Sequence, residues 1–198
     1  LSIDMGDLSD FGDVYEALSN YYADTVQTIS DGASPRERTI RKWFNSQLIT
    51  ADGIRNQVLR GAEESEGLAN DLIEQLRDKH LVRAENRAGA TWYELSHDRL
   101  VQPVRNNNSI WHDTHLSELQ RQAELWNEQE KPAGLLFQDQ ALSEAENWAD
   151  AHAEELTPLE QEFLDQCRET RAADERERRR TRLIRQLAVV ATIIAAIA

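Results

Sequence analysis

The residues of this chain that could do chemistry are few and scattered. The run 90–105 changes character in its middle, at Leu95-Ser96-His97-Asp98. Trp92, Tyr93 and Leu95 favour a pleated, half-buried surface and predict a strand. Ser96 then reads as a helix N-cap, with Asp98 in a first turn where negative charge is favoured. His97 is therefore expected, buried, at a strand-to-helix corner. By spacing alone it is either a structural hydrogen-bonder or an imidazole facing a ligand. His112 and His115 flank Asp113 at helical i,i+3 spacing, which would bring both rings toward one metal ion. No third ligand stands nearby in sequence, and a solvated helix face accounts for them. The single cysteine, Cys167, excludes an internal disulfide; near Leu159 and Phe163 it reads as a small apolar contact rather than a nucleophile. No carboxylate pair has the apolar shielding of an acid/base dyad. No Gly-x-x-x-x-Gly-Lys-[Ser/Thr] occurs, so this stretch carries no phosphate-cradling loop and is not read as an enzyme in itself.

The elements that must position these residues are mostly helices. Apolar positions Phe11, Val14, Leu18, Tyr21, Tyr22, Val26 and Ile29 predict one amphipathic helix over 8–29. After the break at 31–35, Ser34 and Glu37 form a capping-box pair with Pro35 at the first helical position. Ile40, Trp43, Phe44 and Leu48 give that second helix its buried face. A short helical piece is expected at 54–59, a polar loop at 63–67 and a helix over 67–80 with Leu68, Leu72, Ile73 and Leu76 inward. Strands at 81–85 and 91–95 then flank a longer-loop turn at 86–89. Three helices followed by a hairpin is the order of a winged helix-turn-helix. Beyond a loop at 106–108, helices are expected over 110–128 and 140–153. Thr157-Pro158-Leu159-Glu160 repeats the start signal, and no Gly or Pro comes after it.

The fold class expected is thus mainly α: a winged helix-turn-helix with a short β-hairpin, a helical region and a long C-terminal helix. The segments are 1–30, the end of a preceding helical domain; 34–106, the winged helix; 109–155, a helical domain; 157–186, a charged helical stalk; and 187–198, the start of a transmembrane helix. The last segment is apolar throughout, but twelve helical residues span only about 18 Å where a bilayer core needs about 20 residues, so it is expected to continue. Arg176, Arg178, Arg179, Arg180, Arg182 and Arg185 precede it, a cluster suited to the cytoplasmic side of a membrane and to anionic headgroups. The start at Leu1, without Met or an apolar leader, is read as part of a longer protein.

Charge argues against nucleic acid as the partner. Across 198 residues the formal net charge is −14, whereas phosphate neutralisation needs a basic surface. The helix over 67–80, which would enter the major groove, carries Asp71, Glu74 and Asp78 against Arg77 and Lys79.

The runs RKWFNSQLITADGIRNQV (41–58) and GLANDLIEQLRDKHLVRAENRAGATWYELSHDRLVQPVRNNNSIW (67–111) resemble the winged-helix region of bacterial STAND-type signal-transducing NTPases. LEQEFLDQCRETR (159–171) and the Arg-rich stretch after it are similar to the segment that leads, in many members, to a membrane helix or WD40 repeats. The resemblance implies an upstream P-loop domain holding ADP or ATP with Mg, and homo-oligomerisation on activation. It also implies anchorage of a cytoplasmic domain in the inner membrane. In the family a His-Asp pair ends the winged helix, and its His contacts the β-phosphate of ADP in the resting state. His97 matches that sensor, with Asp98 as its structural partner; Ser96 departs from the more usual apolar residue. The rival reading is a membrane-tethered winged-helix transcription regulator that binds DNA; a third is a helical adaptor.

Overall fold

Helical spacing places Tyr22, Val26 and Ile29 on one buried stripe of α1 (Met5–Ile29), and Ile40 and Trp43 on that of α2 (Ser34–Trp43). The computed structural model describes the backbone of residues 5–197 and the side chains of residues 14–33 and 35–188. Phe11 lies outside the described side chains, as does Ser34, to which a capping role falls by sequence. Helix α2 begins at Ser34 itself, one residue earlier than expected, with Ala33 as N-cap. The described chain is mainly helical with small antiparallel sheets, and it divides into two units, Leu1–His115 and Leu116–Ala198.

In the first unit α2 ends in a π-helical turn, Phe44–Leu48, that buries Phe44 and Leu48. The stretch 54–59, expected to be helical, is extended instead. Ile49 and Arg55 form an antiparallel bridge, and β1 (Val58–Leu59) pairs with β5 (Ala90–Leu95). Its three apolar residues are too few to hold a helix face, and the alternation of buried Val58 with exposed Leu59 suits an edge strand. The expected loop 63–67 is a small ladder, β2 (Glu64–Ser65) with β3 (Leu68–Ala69). Glu66 and Gly67 turn between them at positive φ, and the Trp43 indole N–H donates to Ser65 O at 2.9 Å. Helix α3 (Asn70–Asp78) comes next, shorter than the expected 67–80 because β3 takes its first turn.

Strands β4 (Val82–Arg87) and β5 pair in full register from Val82↔Leu95 to Arg87↔Ala90. Their turn is the tight two-residue kind, not the longer loop expected. Ala88 (φ 49°) and Gly89 (φ 81°) both sit in the left-handed region that such hairpins require. The sheet order is β1-β5-β4. Tyr93 and Leu95 on its inner face join Tyr22, Ile40, Phe44, Leu48, Ile73 and Leu76 in one core. Each large side chain fully buried there stabilises the unit by about 1.5–3 kcal/mol.

Helix α4 (Val101–His115) runs unbroken through Asn106, Asn107 and Asn108, where a loop is expected from sequence. Tertiary bonds of Asn107 and Asn108 override the weak helix propensity of the run. Asn108 is buried, accepting from Tyr22 Oη and Arg41 Nη1 (both 2.9 Å) and donating to Arg41 O and Asn45 Oδ1. Asn107 accepts from Arg41 at 2.7 Å and donates to Ser19.

The expected single helix over 110–128 is two. Ser117 caps α5 (Glu118–Glu128) in a reciprocal box: Gln120 N–H donates to Ser117 Oγ, and Ser117 N–H to Gln120 Oε1. In the second unit α5, α6 (Asp139–Ala151) and the start of α7 (Pro158–Ile197) enclose Leu119, Ala123, Trp126, Leu142, Phe163, Leu164 and Cys167. Thr157 and Glu160 cap α7 reciprocally, as their spacing predicts. Glu146 of α6 accepts from Arg168 (3.0 Å) and Arg171 (2.9 Å) of α7. These bonds, with Arg171 foremost, outweigh burial and hold its carboxyl below the usual range. With 40 residues α7 is about 60 Å long, and its side chains from 173 to 188 are all exposed. Among the described residues no helix is long and apolar enough to cross a membrane. Most of the transmembrane start expected at 187–198 lies outside the described side chains.

Candidate functional site

The hairpin returns the chain to the end of α3 and fixes the geometry of the corner at 96–100. Ser96 N–H donates to Leu81 O (3.0 Å), and its hydroxyl donates to His80 O rather than capping a helix. The cap falls instead to His97, extended at φ −150°, ψ 144°. Its Nδ1 accepts the Arg99 N–H at 3.1 Å, opening the 3₁₀ turn Asp98–Leu100 that feeds α4. Sequence predicts a buried His97; it is exposed, because the turn holds its ring by one edge and leaves the other outward. A neutral ring whose Nδ1 accepts carries its proton on Nε2. The corner therefore presents an N–H donor to whatever lies outside it.

Asp98 is engaged by Arg55 and not by the His97 ring. Its carboxylate pairs with Arg55, whose Nη1 also donates to Leu95 O at 3.0 Å and lies 4.0 Å from Glu94. Glu94 is buried on the outer face of the sheet, taking bonds from Gln57 (2.8 Å) and Arg83. Burial alone would raise its carboxyl; the bonds from Gln57 and Arg83 and the charges of Arg83 and Arg55 overcome that and hold it below the usual range. Arg55 thus bridges the 49–55 segment to both ends of the corner. Sequence reasoning missed Arg55, Gln57, Arg83 and Glu94. The one signal available was the alternation of Glu94 between inward Tyr93 and Leu95, which gives its face but not its burial.

The other candidates are not brought together. His112 Nδ1 lies 3.8 Å from Asp113, while His115 stacks on Trp111 (5.1 Å between ring centres) and donates its Nδ1–H to Trp111 O. Among the described residues no cluster of three His, Cys, Asp or Glu could hold a metal ion. Cys167 is buried in the second unit's core, and burial pushes its thiol up, away from the reactive thiolate. On α3 the outward stripe is Asp71, Gln75 and Asp78, while Glu74 is engaged by Arg60 and Arg77. Arg179 lies 4.0 Å from Glu175. Arg178, Arg180, Arg182 and Arg185 are exposed on α7 with no carboxylate partner among the described residues.

Compared with protein-family models, curated proteins and solved structures, the chain has no match.

Proposed function

We propose that the chain is the regulatory segment of a STAND-type NTPase, a winged helix that closes over ADP in the resting state and a helical stalk that relays nucleotide state onward. The observation that carries this reading is the exposed His97, whose engaged Nδ1 leaves Nε2–H free to donate to an anionic oxygen. A phosphate oxygen is such an acceptor, and a hydrogen bond to a charged group is worth about 1.5–3 kcal/mol. Asp98 contributes indirectly, by holding Arg55 against the corner. In this reading His97 makes one contact to the nucleotide, and ADP or ATP with Mg is held by an upstream P-loop domain of the same protein.

The winged-helix reading is supported by α2, β1, α3 and the β4–β5 hairpin in that order, with β5 central in the sheet. It departs in one place: the β2–β3 ladder stands where a second helix would precede α3. The unpartnered arginines of α7, interleaved with exposed Leu183, Ile184 and Leu187, support a stalk that ends at the inner membrane, its domains on the cytoplasmic side. Assembly of stalks on activation comes from the same family reading. The rival, a DNA-binding regulator, gains no support from an outward α3 stripe bearing Asp71 and Asp78.

The test is the gene product that contains this stretch. A Gly-x-x-x-x-Gly-Lys-[Ser/Thr] upstream of Leu1 and ADP released on acid extraction of the purified protein are expected. A full-length protein with neither overturns the proposal.

A further inference from the structure

A groove of about 250 Å³ opens between α1, α2 and α4 in the first unit, and a buried ion pair forms its floor. Arg41 Nε donates to Glu37 Oε1 at 2.8 Å, and Arg41 Nη1 is taken up by Asn107 and Asn108. That leaves Arg41 Nη2 and Glu37 Oε2 without a hydrogen-bond partner among the described residues, and neither atom is sealed from solvent. A guest offering an acceptor and a donor side by side replaces solvent at both atoms with charge-assisted hydrogen bonds, which are stronger than neutral ones.

The charge balance selects the guest. A lone anion drawn to Arg41 meets Glu37, and a lone cation drawn to Glu37 meets Arg41. A zwitterion with adjacent charges satisfies both. The wall above the floor is mixed: Ile110, 65% exposed, and Ala23 supply its apolar part, and Gln27, Thr114 and His115 its polar part. The volume is below the 300–1,000 Å³ or so that drug-sized ligands occupy, which restricts the guest to a small molecule.

We propose that this groove binds a free α-amino acid with an apolar side chain. The carboxylate takes Arg41 Nη2, the ammonium takes Glu37 Oε2, and the side chain lies on Ile110. The site does not depend on the nucleotide reading.

The test is titration calorimetry and thermal denaturation of the 198-residue chain with each of the twenty L-amino acids. Isovalerate and isoamylamine, each with one of the two charges, serve as controls. Aliphatic amino acids are expected to bind and to raise Tm with concentration, while the two controls do neither. Glu37→Gln is expected to weaken binding tenfold or more. Because Glu37 also braces Arg41, Ile110→Glu is the second variant: it alters an exposed wall and is expected to cost a similar factor while the circular dichroism spectrum stays unchanged. Absence of binding by every amino acid, or equal binding of the single-charge controls, overturns the proposal. So does full affinity retained in a folded Ile110→Glu protein.

Discussion

Replacing Asn108 by Ala removes the hub that fastens α4 to α1 and α2. The side chain is buried and makes four bonds: it accepts from Tyr22 and Arg41 and donates to Arg41 O and Asn45. In the native chain burial, countered only in part by Arg41 and Asn108, pushes the Tyr22 pKa far above the usual tyrosine value, so in the variant its hydroxyl is a donor stranded without Asn108 in a fully buried position. Arg41 Nη1 keeps Asn107 but loses its second acceptor. At about 1–3 kcal/mol for each buried group left unsatisfied, Asn108→Ala should cost about 2–5 kcal/mol. Tyr22→Phe, which removes the donor and leaves Asn108 bonded to Arg41, should cost only about 0.5–1.5 kcal/mol. Differential scanning calorimetry of the whole chain reads both as shifts of the first unit's transition. A loss below about 0.5 kcal/mol for Asn108→Ala, or a larger loss for Tyr22→Phe, would refute the reasoning, since desolvated partners would then not govern the site.

Acid should destabilise both units. The carboxyls of Glu94 and Glu146 are held below their ordinary value in the folded chain, so their stabilisation is present above the unfolded value and is lost as pH falls through the folded one. Glu146→Gln should flatten the acid limb of the second unit's transition; an unchanged limb would show that Arg168 and Arg171 contribute nothing there. Duplex DNA should bind no better than a neutral polymer in a gel shift at physiological ionic strength, and salt-dependent submicromolar binding would contradict that. The full-length protein should stay with membranes after carbonate extraction, and its release would remove the membrane end of the proposal.

Much of the fold was legible because its signals were local. Thr157-Pro158-x-Glu160 and the strand-favouring Trp92, Tyr93 and Leu95 of β5 need no knowledge of distant partners. What the sequence hid was decided at long range. Asn106–Asn108 carry turn chemistry, yet α4 keeps them because Tyr22 and Arg41, more than sixty positions away, bond Asn107 and Asn108. Residues 54–59 look helical until β5 offers them a ladder. The break at Ser117 was readable, since Ser-x-x-Gln is a capping box, but the continuous apolar spacing from Trp111 to Trp126 masked it. The His97 corner was located correctly while its mechanics were not: Ser96 ties back to His80, His97 supplies the cap itself, and Asp98 turns to Arg55. Nothing in the spacing of 95–98 points to position 55.

The most direct test of the central claim is the ADP dissociation constant of the full-length protein, wild type against His97→Ala. Loss of one hydrogen bond from Nε2–H to a phosphate oxygen predicts at least about tenfold weaker ADP binding and higher basal signalling. His97→Gln, whose amide can still donate, should recover part of the affinity. An unchanged dissociation constant and unchanged basal output in a folded His97→Ala protein would contradict the account and leave His97 as the cap of a turn.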